Sequence, residues 1–392
     1  MKKTQNVIAV VLFLAVIAAV PITSVLLPRE HKSDYENRTL ATFPHLSVQT
    51  LFNGSFVAGV EDYLTDHIAG RNRMLEAYVK LNRDVLDKPV VNDVYESEEG
   101  VLLDRINYDH YDAEAVAWRM DQQLGELTDL DALVSSYGGE FLFCGVSEQR
   151  RDRYDQYPDY LQPGTGTIEN TEKLLFEGFA EHGVTAINMY EVFSEHGGQD
   201  AYYSKLDHHY TFDGARLTYE TIMDTINAER EVPLTVLRES DLVFHEEPGP
   251  FYGSYNRKIF NLQETQEKLI WAEPKDPIPF TRTDNGEPVE PTVFTPRDGN
   301  ASYGSYMDGD IGETIIRTGR EDLPSVLIFG DSFTNPVETL LYYSFDEMRA
   351  LDLRYYDEMT LFEYVETYQP DYVIALRDRM QYNQAVGNGV YR

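Results

Sequence analysis

"SVLIFGDSFTN", residues 325–335, runs from an apolar stretch straight into Gly330-Asp331-Ser332. The length of the apolar run suits a buried strand. Gly330 permits a tight turn, and Phe333 or Thr334 can begin a helix. In open α/β sheets the site lies at the carboxyl ends of the strands, which is where Ser332 falls. A serine there can raise its Oγ above the sheet while the N–H groups of the turn face an oxyanion. The same letters also fit a plain polar turn, with Asp331 bonding its own loop. What decides between the two is whether the chain supplies a base for the serine.

The same rhythm of strand and helix extends on both sides of this stretch. Residues 112–136 have a helical pattern, "GEFLFCGV" (139–146) reads as a buried strand, and 169–182 are helical again. "TAINMY" (185–190) is a strand and 213–230 a helix. After the serine come the helix-like "PVETLLYYSF" (336–345), "MRALDLRYY" (348–356), a helical stretch and "DYVIALR" (371–377). Short apolar strands between longer helices predict an α/β layer architecture with a mainly parallel sheet. Residues 240–320 break the pattern with Pro248, Pro250, Pro274, Pro277, Pro279, Pro288, Pro291 and Pro296. They predict a loop-rich insertion with some hairpin over one end of the sheet, suited to a lid or binding surface. Nearer the N-terminus, Ser55 to Leu86 has helical spacing, and "VYESEEGVLLD" (94–104) reads as a hairpin turning at Glu99-Gly100. Three segments result: 1–28, 29–105 with helices and hairpin, and 106–392 with the insertion.

At 392 residues and 42% hydrophobic content the chain can bury a large core. Its net charge of −34 repels nucleic acid and anionic lipid, so polynucleotide binding is excluded. Lys2 and Lys3 precede an apolar run from Val7 to Leu27, close to the roughly 20 residues that span a bilayer. Ala18 and Ala19 make a poor cleavage site, so an uncleaved single-pass anchor is expected, with everything after Pro28 outside the cytoplasm. The alternative is a cleaved signal. Cys144 is the single cysteine, so no intrachain disulfide forms. In its apolar strand it reads as a buried small hydrophobe.

The base comes from "KLDHHYTFDGARLTYE", residues 205–220. In an extended segment Asp207 and His209 would point to one side, about 6.5–7 Å apart along the chain. Asp207 could then hold Nδ1 of His209 and leave Nε2 for Ser332. His208 would point the other way. The helix after it would anchor the motif through Ala215, Tyr219, Ile222, Met223 and Ile226. A metal site is disfavoured, because strand neighbours diverge and no further cluster completes one. His245 and His67 read as solvated or capping residues.

"DHHYTFDGA", "YGSYMDGD" and "VLIFGDSFTNPVETLLYYSFDEMRALDLRYY" together resemble the DHHW family, related to the periplasmic alginate O-acetyltransferases. "ENRTLATFP", "YLTDHIAGRNRM" and "EGVLLD" also match its pattern, so the resemblance covers nearly all of residues 30–392. It implies an exported, SGNH-hydrolase-like three-layer sandwich with a Ser-His-Asp site at Ser332, His209 and Asp207. The serine comes after the Asp-His block, as in the alginate-acetylation relatives and unlike ordinary SGNH hydrolases. Tyr210 stands where the family has tryptophan, and stacking on substrate could survive the change. "GVSEQRRDRY" replaces the Pro and Lys frequent in relatives, which removes any role for that lysine. Asn335 is expected to join the Ser332 N–H in an oxyanion hole. Tyr252, Tyr255, Tyr303 and Tyr306 are candidates for a sugar-binding wall.

The resemblance further implies an extracytoplasmic O-acetyltransferase acting on a cell-surface polysaccharide. Its acetyl donor would be a membrane-bound O-acyltransferase, and no cofactor or metal is called for. Two rivals are a carbohydrate acetyl esterase and a non-catalytic glycan-binding or assembly protein of the same fold.

Overall fold

The structure is a computed structural model. It describes residues 2–26, 30–33, 35–36, 38–105, 112–161, 166–297, 299–378 and 391–392. The chain divides into two compact units, residues 1–95 with 256–264, and residues 96–255 with 265–392. The expected boundary at residues 105 and 106 falls partly outside the described residues.

Among the described residues of the larger unit, the main sheet has eight strands. In chain order these are β1 (Glu140–Val146), β2 (Thr185–Asn188), β3 (Thr281–Asp284), β4 (Glu287–Val289), β5 (Glu313–Arg317), β6 (Ser325–Gly330), β7 (Glu347–Leu351) and β8 (Tyr372–Asp378). Their spatial order is β4-β3-β5-β7-β6-β8-β1-β2. Neighbours from β7 through β6, β8 and β1 to β2 run parallel. β5 pairs with β7 antiparallel, and the β3–β4 hairpin adds two further antiparallel pairings. The insertion is therefore more regular than its prolines suggest. Asn285 and Gly286, both at positive φ, turn the hairpin, and Thr281–Asp284 joins the main sheet. Asn-Gly is the strongest short hairpin signal, and the prolines had masked it.

Helices cover both faces: α1 (Ala113–Ser136), α2 (Gly166–His182), α3 (Phe212–Ala228), α4 (Thr334–Leu341) and α5 (Leu361–Tyr368). Alternation along the strands divides the core between them. Val326, Ile328, Ile374 and Leu376 pack with Tyr219, Met223 and Leu340 of α3 and α4. Leu327, Phe329, Val373 and Ala375 pack with Leu127, Phe179 and Val365 of α1, α2 and α5. A parallel strand buried on both faces reads as a continuous apolar run, which is why "SVLIF" was legible. From β6 the chain crosses to β7 on one side and then, through α5, to β8 on the other. The carboxyl end of β6 is thus the switch point of the sheet, where a site belongs. Cys144 is fully buried on β1, and burial pushes its thiol up, as a structural cysteine requires.

In the smaller unit, helices Ser55–Asp66 and Arg71–Lys80 match the expected spacing. Arg38 grips Asp66 with both guanidinium nitrogens, at 2.8 and 2.5 Å. His67 caps the first of these helices and reaches Ala41 O at 2.9 Å. Lys2–Leu26 is helical over 25 residues, but among the described residues no helix is long and apolar enough to cross a membrane. The expected anchor remains a reading of the sequence, and its end at Leu27 and Pro28 lies outside the described residues.

Candidate active site

Residues 202–211 fold as a tight loop rather than an extended strand. Tyr203 bridges Tyr210, Ser204 N–H donates to His209 O (3.2 Å), and Thr211 N–H donates to Tyr202 O (2.6 Å). Inside the loop Asp207 Oδ1 accepts the His209 N–H at 3.1 Å, an Asx turn of the kind short acidic side chains favour. This turn brings the two side chains together. Nδ1 of His209 lies 2.6 Å from the same oxygen. A carboxylate only accepts, so Nδ1 carries the proton.

His209 Nε2 lies 2.7 Å from Ser332 Oγ, although 123 positions separate them. Asp207, His209 and Ser332 therefore form a continuous chain of hydrogen-bonding distances. Asp207 is 1% exposed and His209 7%. Burial alone would push the Asp207 carboxyl up. The charges of His209 and His208 and the hydrogen bonds from His209 outweigh it and hold the carboxyl well below the usual carboxylate range.

The expectation that His208 points away does not hold. Because the loop curls, its ring lies 3.7 Å from that of His209, and its Nδ1 is 3.2 Å from Asp207 Oδ1. It does not take the place at the serine, and its Nδ1 reaches Ser254 Oγ at 2.8 Å on the exposed side. The argument against metal needs the same correction. Asp207, His208 and His209 form one compact group, with a potential ligand atom of each within 4.8 Å of the others. Asp207 Oδ1 and both nitrogens of His209 are, however, engaged inside the protein.

At the Gly330-Asp331-Ser332 turn Gly330 is obligatory: a Cβ there would sit 2.1 Å from Leu376 O on β8. Asp331 is a turn residue, taking the Phe333 N–H on Oδ1 (3.0 Å) and the Asp378 N–H on Oδ2 (3.3 Å). Burial and the neighbouring Asp378 push its carboxyl up to about 7. Thr334 N–H goes to Asp331 O at 2.9 Å. Two of the N–H groups of the turn are thus committed, while the Ser332 N–H has no hydrogen-bond partner among the described residues. Asn335 is 6% exposed and its amide donates to Asp310 Oδ1 at 3.3 Å, so it is turned toward Asp310.

Of the tyrosines expected to form a sugar wall, Tyr255, Tyr303 and Tyr306 are buried and Tyr252 is half-buried. Tyr306 is 1% exposed and its hydroxyl donates to Ile270 O. Tyr210 is equally buried, and its hydroxyl donates to Phe333 O, bracing the nucleophile turn from below. Both line the cavity beside Asp207 and His209. Tyr255 is buried too, and Tyr303 stacks on His209 with ring centroids 3.8 Å apart. Tyr303 packs on His209 and Tyr306 on Tyr303, and both rings are buried. A cavity of about 150 Å³ lies beside the site, lined among others by Asp207, His209, Tyr303, Phe251, Glu267 and Lys268. Burial raises the Glu267 carboxyl. The sequence reading missed Ser254, whose N–H donates to Asp207 Oδ2 at 2.6 Å. The signal was Gly253 beside it, within an aromatic "FYGSY".

The large mixed sheet between its helix layers is an SGNH hydrolase-like α/β fold. Residues 108–291 match the family model described as "SGNH hydrolase-like domain, acetyltransferase AlgX", which bears out the resemblance read from the sequence. The matched span contains Asp207 and His209 and ends before Ser332, so the serine rests on geometry. Bacillus cereus PatB1 superposes with TM-score 0.62 at 20% identity, covering 76% of this chain and 99% of that one. PatB1 with a sulfonyl adduct gives 0.61 at 19%, covering 76% and 98%. A DHHW family protein from Eubacterium siraeum gives 0.57 at 19%, covering 76% and 95%. At these identities the likeness shows the fold. No curated protein matches the chain.

Proposed function

We propose that the protein is an extracytoplasmic O-acetyltransferase that modifies a cell-surface polysaccharide through Ser332, His209 and Asp207. The observation that carries the reading is the unbroken chain from Asp207 through His209 to Ser332, at 2.6 and 2.7 Å. Ser332 Oγ attacks the carbonyl carbon of an acetyl donor as Nε2 of His209 takes its proton. The buried Asp207 carboxylate stabilises the imidazolium and holds its tautomer. The oxyanion faces the Ser332 N–H. When the intermediate collapses, His209 returns the proton to the leaving group and the acetyl stays on Ser332. An acceptor hydroxyl then attacks this ester, His209 takes the hydroxyl's proton, and Ser332 leaves with it.

The match to an acetyltransferase domain supports transfer over hydrolysis. The test supplies p-nitrophenyl acetate with and without oligosaccharides and follows acetyl-sugar and free acetate together. Acetyl-sugar formed at the expense of acetate supports the transferase. Acetate release indifferent to every acceptor tried contradicts it.

The apolar run from Val7 to Leu27 would hold the protein in the membrane, beside a membrane-bound O-acyltransferase that delivers the acetyl group. Cell fractionation with N-terminal sequencing tests the anchor, and a soluble protein beginning near residue 28 would sink it.

A further inference from the structure

The imidazole of His209 lies face to face with the ring of Tyr303, with centroids 3.8 Å apart and planes 8° apart. Tyr303 is held there firmly. It opens a 3-10 turn capped by Ser302, whose side chain accepts the Gly304 N–H at 3.3 Å, and its edge packs on Tyr306 at 5.2 Å. Its hydroxyl is buried and has no partner among the described residues. A buried hydroxyl without a partner is destabilising, so the hydroxyl does not explain the residue. The ring face does. When His209 accepts the proton of Ser332 it becomes a cation, and a cation over an aromatic face is stabilised.

We infer that Tyr303 is a positioning residue: its ring fixes the plane of His209, so that Nε2 points at Ser332, and makes the imidazole a stronger base. This rests on the proposed serine chemistry. The groups facing His209 are Asp207 at Nδ1, Ser332 at Nε2, and His208, Tyr303 and Phe333 around the ring. Glu267, Lys268 and Asp213 share the adjoining cavity. Tyr303 is the face-on neighbour in this set that carries no charge at neutral pH.

The experiment is the pH profile of p-nitrophenol release from p-nitrophenyl acetate, with acetylation of Ser332 followed by mass spectrometry. Tyr303→Phe keeps the ring and should keep both rate and profile. Tyr303→Leu removes the π-face, so the acid limb should move down by about half to one pH unit. The plateau rate should fall roughly three- to tenfold, as the base weakens. Ring-fluorinated phenylalanines at position 303 preserve the packing should the leucine variant fail to fold, and the limb should move further down with each added fluorine. A limb that stays in place across the fluorinated series overturns the inference, because a purely structural role lowers the rate without moving it. Loss of activity in Tyr303→Phe overturns it as well, since the hydroxyl would then be what matters. Wild-type protein that is never acetylated on Ser332 overturns the proposed function, and this inference with it.

Discussion

Gly253→Ala should damage the protein although Gly253 belongs to no catalytic motif. Gly253 has φ +68°, and a Cβ there would lie 2.3 Å from Leu206 O and 3.0 Å from Asp207 Cβ. Leu206 O cannot easily yield, because it accepts the Tyr255 N–H at 3.1 Å and directly precedes Asp207. The next residue, Ser254, gives its N–H to Asp207 Oδ2 at 2.6 Å and its hydroxyl meets His208 Nδ1 at 2.8 Å. A side chain in the left-handed region costs about 1–2 kcal/mol. The backbone shift that relieves the contact stretches a hydrogen bond to a charged group worth about 1.5–3 kcal/mol. Together these predict a loss of roughly 2.5–5 kcal/mol in unfolding free energy. Turnover should fall about 10- to 100-fold, because Asp207 loses one of the donors that aim it and each 1.4 kcal/mol is a factor of ten. Urea unfolding and p-nitrophenyl acetate turnover at neutral pH measure the two effects. Wild-type stability and turnover in Gly253→Ala would refute the claim that this glycine builds the site.

Glu338 on α4 is buried, accepts the Thr334 hydroxyl, and is pushed by burial from 4.5 up to about 7. A carboxyl raised by folding favours the fold while protonated. Stability should therefore decline as pH rises from about 4.5 through 7, by about 3 kcal/mol, and Glu338→Gln should flatten that decline in urea unfolding across pH. Tyr210→Phe leaves the Phe333 carbonyl without its partner and should cost about 1–3 kcal/mol in the same assay; an unchanged midpoint would show that the bond does not brace the turn. His209→Ala should lower turnover by about 10³-fold, within the range for general-base catalysis, and His208→Ala by less than about tenfold. Equal losses would undo the choice between the two histidines.

Much of this architecture is legible in the chain. Continuous apolar runs such as "VLIFG" and "YVIALR" announce strands buried on both faces, and α3 shows its stripe through Tyr219, Ile222, Met223 and Ile226. The meeting of Asp207, His209 and Ser332 also follows from motif and topology together. What the sequence hides is how the loops fold. "DHHY" looks extended, but an Asx turn curls it and places His208 beside His209. The tyrosines of "YGSYMDGD" suggest a sugar-binding wall, yet Tyr303 and Tyr306 are buried and Tyr303 packs on His209. Such outcomes depend on contacts between residues far apart in sequence, such as Tyr303 with His209 and Tyr306 with Ile270. A local pattern carries no record of them.

The central claim is that Ser332 is a nucleophile driven by His209 and Asp207. Incubating the protein with p-nitrophenyl acetate, quenching in acid and mapping the modified peptide tests it directly. A single acetyl group is expected on Ser332, absent from Ser332→Ala and strongly reduced in His209→Ala. A protein that takes up no acetyl, or takes it up on His208 or a lysine with Ser332 unmodified, would contradict it.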